Sequence, residues 1–259
     1  MGDTEIIDLT PDTIAVYGVC GYKDIKKHAE LRRKIQWFSK YYSKGLRIKV
    51  LYSKKSGYQG MIEYIPGRYA HRPVDAGDYL FIHCIFVGFA GEFKGKGHGS
   101  ALIGQCMDEA RTTGMRGVAV VVRKGPFMAK REIFIKNGFV PVDRAAPDFE
   151  LLACKFDPAA ANPRFRTAAL QNREPYADGL FILRSPQCPY SEKNVMGIME
   201  TAREKYGLVP RLVELDTAEA AQDAPCPFGT FCILYKGDVI SHHPISTTRF
   251  VNIMEKLRK

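Results

Sequence analysis

Three alternating glycines at 95, 97 and 99, interleaved with lysine and histidine, constrain this chain more than any other feature. They fall between an aromatic and β-branched run, residues 79–87, and a stretch in which Leu102, Cys106 and Ala110 recur before Gly114. The first run predicts a buried strand, and the second an amphipathic helix closed by glycine. A glycine-rich turn at a helix N-terminus directs backbone N–H groups at one point, where the helix dipole adds about half a positive charge. Lys94-Gly-Lys-Gly-His-Gly99 is therefore a candidate phosphate cradle. Two common phosphate fingerprints do not fit it. The Gly-x4-Gly-Lys-Ser/Thr run of a P-loop is absent from the chain. A dinucleotide fold spaces its glycines as Gly-x-Gly-x-x-Gly, whereas these alternate.

The pattern Lys94-x-x-Gly97-x-Gly99 resembles the pyrophosphate loop of the GNAT acyltransferase superfamily, written Arg/Gln-x-x-Gly-x-Gly/Ala. Lysine stands where arginine or glutamine is usual. Residues 117–122 then read as a strand, and a second helical stretch ends in Asn137-Gly138-Phe139, similar to the Gly-Phe pair that closes that family's second helix. Residues 139–142 and 149–156 supply two last strands. Ahead of the loop, 46–52 and 58–64 read as a hairpin around 53–57, and 22–42 carries a long charged helix pattern. The resemblance implies an α/β (α+β) chain whose residues 1–156 form a GNAT-like domain, a mixed, mostly antiparallel sheet flanked by helices.

The same resemblance implies an acyl-CoA-dependent N-acyltransferase, with acetyl-CoA as cosubstrate and an unidentified amine as acceptor. The N–H groups of Gly95, Lys96, Gly97, His98 and Gly99 would cradle the pyrophosphate, with charge from Lys94 and Lys96 and a hydroxyl from Ser100. Ile85, Phe86 and Val87 would meet the pantetheine, because the family splays this strand. Direct attack on the thioester then needs a base for the amine proton. Glu63 and His83 are the candidates. A carboxylate among apolar neighbours is expected to have its pKa raised toward neutrality, and histidine titrates near the working pH. Strand alternation puts Glu63 opposite Ile62 and Tyr64, and Cys84 opposite His83. Many members carry an acidic tyrosine four residues before the glycine of the Gly-Phe pair; Phe134 here has no proton to give. Asp75 and Asp78 are open to binding a cationic substrate. Cys20, His83 and Cys84 lack ligand spacing, so no metal is expected.

Residues 157–178 read as a linker or as a segment laid on a domain surface. A fresh pattern follows: strand 180–183, helix 192–205, strand 210–215, a hairpin around 236–238, and a last helix at 247–257. That order resembles a small thioredoxin-like domain over 179–259, and Cys188-Pro-Tyr-Ser191 resembles the Cys-Pro-Tyr-Ser site of glutaredoxins. A cysteine at a helix N-terminus has its thiolate stabilised, so Cys188 is a third catalytic candidate. Ser191 cannot resolve a disulfide. Where thioredoxin-like proteins carry a proline before the next strand, this chain has Gly229, and Cys226 lies close by as a resolving partner or a packed thiol. An acyltransferase with such an appendage resembles a family labelled YoaP-like. Three alternatives stand: a thiol-redox protein using Cys188 with CoA bound by the first domain, a non-catalytic CoA-binding regulator, and a second domain acting as lid or docking surface.

Bulk composition narrows the setting. No run of 18 apolar residues occurs, so no membrane partner is expected, and the first residues lack a signal peptide's pattern. Seven cysteines without framework spacing suggest reduced thiols and a cytoplasmic location. The net charge of +10 favours anionic partners. Lys23, Lys26, Lys27, Arg32, Arg33 and Lys34 are predicted on one helix as a solvated basic face. With no helix-turn-helix, zinc or RNA-binding signature, nucleic acid is not an expected partner.

Overall fold

The computed structural model describes residues 3–22, 27–88 and 91–258. They form two compact units. One holds the described residues up to 70 together with 74–165; the other holds 71–73 with 166–258.

The first unit contains β1 (Thr4–Asp8), a single turn α1 (Ile14–Tyr17), α2 (Ala29–Tyr42), β2 (Arg47–Ser53), β3 (Gly57–Pro66), the short β4 (Val74–Asp75), β5 (Tyr79–Val87), α3 (His98–Thr112), β6 (Gly117–Val122), α4 (Arg131–Lys136), β7 (Val140–Ala145), β8 (Phe149–Lys155) and the short β9 (Arg164–Phe165). Seven of these strands make one sheet in the order β1-β2-β3-β5-β6-β8-β7, and β4 pairs with β9 apart from it. Only β5 and β6 run parallel, because α3 carries the chain across between them. The mixed, mostly antiparallel sheet with flanking helices is the architecture expected from the sequence.

Two helix ends explain glycines that the sequence marks as helix stops. At the end of α3, Met115 N–H donates to the Ala110 carbonyl at 2.9 Å and Gly114 N–H to that of Arg111 at 3.2 Å, with Gly114 at φ 71°. This left-handed cap satisfies carbonyls that the helix leaves open. The end of α4 repeats it: Phe139 N–H donates to the Phe134 carbonyl at 3.1 Å, Gly138 sits at φ 84°, and the two phenylalanine rings meet edge to face at 5.4 Å. The Gly-Phe pair is thus a helix stop with its hydrophobic contact. Phe134 is fully buried as one half of that contact.

The long helix pattern from 22 is realised as α2 starting at Ala29, and Lys23 and Lys26 lie outside the described residues. Lys27 and Arg32 are exposed as expected of a solvated basic face, and Arg33 partly so, but Lys34 is not. Leu31, Lys34, Phe38 and Tyr41 make the buried stripe of α2, so Lys34 points into the protein.

The second unit contains α5 (Thr167–Gln171), β10 (Leu180–Arg184), α6 (Val195–Tyr206), β11 (Arg211–Glu214), α7 (Ala218–Gln222), β12 (Phe231–Tyr235), β13 (Asp238–Ser241) and α8 (Thr247–Leu257). Its sheet runs β11-β10-β12-β13, with β10 and β11 parallel and the other pairs antiparallel. Buried Ile198 and Ala202 of α6 and Phe250 and Met254 of α8 contribute to its core. The helix expected from 192 begins only at Val195. Residues 189–191 instead form a 3-10 turn, and Asn194 at φ 68° interrupts the path into α6.

Candidate active site

The loop before α3 is built as its glycines require. Gly95 and Gly97 adopt φ 71° and 83°, a left-handed backbone that side chains with a Cβ rarely take, and Gly97 is the N-cap of α3. The first intrahelical bond is Ala101 N–H to the Gly97 carbonyl at 3.0 Å. The N–H groups of His98, Gly99 and Ser100 therefore lead the helix with no partner inside it, as the first turn of any α-helix does. A Cβ on Gly95 or Gly97 would meet nothing within 4 Å, so the space above the loop is open. Gly99 differs: a Cβ there would come within 2.5 Å of Ile133 Cδ1 of α4, so its hydrogen lets the two helices close.

A cleft of about 600 Å³ lies over this turn. Ile85, Phe86, Val87, Lys94, Gly95, Gly97, His98, Gly99 and Ser100 all line it; Lys96, on the same loop, is exposed outside the lining. Residues 128–130 and α4 supply the opposite wall, including Lys130 and Lys136, two cations that sequence reasoning did not single out. Their only prior signal was position, next to the helix that the Gly-Phe pair closes. Ser100 Oγ accepts a hydrogen bond from Asn137 Nδ2 at 3.0 Å, which ties the start of α3 to the end of α4.

Strand β5 opens beside this cleft. It pairs with β3 along its length to Gly60↔Val87, but with β6 only from Tyr79↔Gly117 to Ile82↔Val120. Past that point β5 and β6 part. The β3–β5 register also slips here, from Glu63↔Cys84 to Tyr64↔Ile82, which leaves His83 as the extra residue of a bulge.

The bulge brings three charged or titratable side chains together on the α2 side. The Lys34 ammonium donates to Glu63 Oε2, Glu63 Oε1 lies 3.3 Å from His83 Nδ1, and all three side chains are fully buried. Lys34 Nζ also sits 4.3 Å over the Trp37 ring, while Trp37 and Phe81 flank the imidazole at 5.9 and 5.6 Å. The expectation that Glu63 would titrate near neutrality is overturned. Burial does push its carboxyl up, but the Lys34 charge and the His83 hydrogen bond and charge outweigh burial and hold it at about 2. Glu63 is a carboxylate at any working pH, suited to orienting a neighbour and not to taking a proton. Of the two aspartates weighed for a cationic substrate, Asp75 is paired with Arg164 at 3.3 Å. Among the described residues, no three His, Cys, Asp or Glu side chains are grouped to hold a metal ion.

In the second unit, Cys188 is half-buried immediately before the 3-10 turn, where its carbonyl accepts from Ser191 N–H at 3.0 Å. The Ser191 hydroxyl is directed at the Cys188 and Ser185 carbonyls, 2.7 and 2.8 Å away, so it serves the turn. Position 229 could not be proline as built. Gly229 has φ 73°, outside proline's range, and a Cβ there would lie 2.7 Å from the His71 carbonyl oxygen. Cys226 is buried with its sulfur 3.3 Å from His242 Nδ1.

The YoaP-like family model matches residues 211–252, from β11 into α8. The chain aligns with the Uncharacterized N-acetyltransferase YoaP of Bacillus subtilis (strain 168), 27% identical over 254 residues, covering 97% of this chain and 98% of that protein. Among solved structures, yncA of Salmonella typhimurium with its cofactor acetyl-CoA shares 16% identity at a TM-score of 0.44, over 62% of this chain and 98% of that one. The paia N-acetyltransferase of Thermoplasma acidophilum, in complex with coenzyme A, shares 15% at 0.41, over 59% and 99%.

Proposed function

We infer that this protein is an acetyl-CoA-dependent N-acetyltransferase of the GNAT type, with its transferase site in the first unit. The observation that carries the reading is one cleft joining the glycine-built N-terminus of α3 to the point where β5 and β6 part. The name of the full-length Bacillus relative agrees with it. The donor set fits a nucleotide thioester: leading N–H groups of a fifteen-residue helix and the cations of Lys94, Lys130 and Lys136 face the diphosphate end. Bound there, acetyl-CoA supplies an activated acetyl carbonyl with a thiolate leaving group.

The chain's own residues do the rest. Ile85, Phe86 and Val87 guide the pantetheine arm through the opening beside β5, and a backbone N–H near Val87 polarises the carbonyl. The acceptor is an amine that attacks directly. The C–N bond forms, the C–S bond breaks, and the sulfur leaves with the bonding pair. His83 receives the amine proton through water, since Trp37 and Phe81 seal its ring. Glu63, fixed as a carboxylate by Lys34, orients the imidazole through Nδ1 and stabilises its protonated form. Phe134 supplies no acid, so the thiolate leaves unprotonated.

The topology of the second unit, a parallel β10–β11 pair followed by an antiparallel hairpin and a helix, supports reading it as a thioredoxin-like module. Cys188, four residues past the end of β10 and just before the 3-10 turn, is the residue through which thiol exchange would run.

Turnover of acetyl-CoA against an amine panel, followed by free thiol release, tests the transferase reading. Wild-type turnover that falls at least about a hundredfold in His83→Gln, with cosubstrate binding retained, is expected. Turnover unchanged in that variant overturns the role of His83; binding without turnover of any amine favours a CoA-binding regulator.

A further inference from the structure

Beside the large cleft lies a second, much smaller chamber that the transferase reading leaves unassigned. It measures about 20 Å³ and shares Ile85, Met128 and Ala129 with the wall of the cleft. Ile82 and Val120, the last paired residues of β5 and β6, line it together with His83. The chamber therefore sits where the two strands part, beyond Ile85, Phe86 and Val87. A space of about 10–15 Å³ holds one water, so this one admits a single methyl-sized group. Apart from His83 and Cys84 its lining residues are apolar. That lining suits a methyl better than a water, which needs about two to four polar partners.

The outer wall of the chamber runs against local backbone preference. Pro126 and Phe127 form a turn between β6 and α4, and Phe127 sits at φ 64°. Glycine or asparagine ordinarily takes such a position after proline, because a larger residue is strained there. Phe127 is 46% exposed, so packing offsets only part of that strain, yet it also lines the chamber. A residue that meets solvent on one side and a cavity on the other is the partition between them. Met128, next in the chain, borders both the chamber and the cleft. The remaining walls are strand residues held by their ladders, so the turn is the part that sets the depth of the space.

We propose that Phe127 and Met128 determine donor specificity, closing an acyl pocket that takes an acetyl group and rejects chains of four carbons or more. The proposal rests on the assignment of the large cleft to acetyl-CoA. An acetyl methyl fills the chamber as built, whereas a butyryl chain has to displace the turn. Each methylene that does not fit an apolar pocket is worth about 10–200-fold in discrimination. The strain at Phe127 is then part of the fitting: it holds a bulky side chain at a position where glycine would leave the chamber open to solvent.

Calorimetric titration of the full-length protein with CoA, acetyl-CoA and butyryl-CoA tests this without an acceptor amine. Wild type should bind acetyl-CoA at least about tenfold more tightly than butyryl-CoA. Phe127→Gly suits the turn and removes the partition, and Met128→Ala widens the same wall. In each variant the ratio of the two affinities should shrink to under about threefold, and the ratio cancels any common change in CoA affinity. Equal affinity for the two thioesters in the wild type, or an unchanged ratio in both variants, overturns the pocket while CoA binding upholds the cleft. Failure of the wild type to bind CoA itself overturns both. The wild-type ratio decides even where a variant fails to fold.

Discussion

Replacing Lys34 by methionine tests the buried ion pair most severely. The substitution keeps the length and apolar stem of the side chain but removes the ammonium that holds Glu63 ionised. In the wild type the carboxyl stands at about 2 against an ordinary 4.5, a gap equivalent to about 3 kcal/mol of stabilisation of the native state. Because the folded value is the lower one, that stabilisation is in full force above about pH 4.5 and fades as the pH falls toward 2. In Lys34→Met burial acts with less opposition, and the carboxyl titrates above its unfolded value. The pH dependence then reverses: the variant gains stability as the pH is lowered from 7. At pH 7 it should be less stable by about 3–5 kcal/mol, the usual cost of leaving one member of a buried pair alone. Trp37 is the only tryptophan and touches both Lys34 and His83, so its fluorescence during urea unfolding reports on this place. A loss under about 1 kcal/mol, or a pH slope with the wild-type sign, would refute the reasoning.

Further predictions follow from the same geometry. His83→Gln should lower kcat by about 10²–10⁴ and flatten the acid limb of the pH–rate profile, while calorimetry shows acetyl-CoA still bound. Gly138→Ala should cost about 1–2 kcal/mol in urea unfolding, because φ is 84° there while the nearest atom, Cys154 Sγ, lies an ordinary 3.8 Å away. Phe134→Tyr directs a hydroxyl at the small cavity shared with His83, Cys84 and Ile85; a donor so placed should raise kcat by up to about tenfold, measured at saturating acetyl-CoA.

The glycine loop before α3 was readable because its information is local: glycines at 95 and 97 answer to their own backbone angles, and a strand and a helix flank them in sequence. The Gly138-Phe139 stop was readable for the same reason. The buried charge cluster was not, because it joins residues from α2, β3 and β5 through a bulge that no pattern in 79–87 announces. One signal was available. Lys34 falls in the apolar stripe of Leu31, Phe38 and Tyr41, where a lysine needs a carboxylate, yet the surrounding run of basic residues made the face look solvated. Glu63 was correctly placed away from Ile62 and Tyr64, but its titration depended on that distant lysine. In the second unit, the delayed start of α6 hinged on Asn194 in a left-handed conformation, which sequence alone rarely marks.

The most direct measurement is a calorimetric titration of the reduced protein with acetyl-CoA, run beside a Gly97→Glu variant. Gly97 caps α3 at φ 83° in open space, so glutamate there places a negative charge where the diphosphate would sit. Binding by the wild type and its loss in the variant, with the Trp37 unfolding curve retained, is the expected result. No binding by the wild type, or equal binding by both proteins, would contradict the assignment of this cleft to acetyl-CoA.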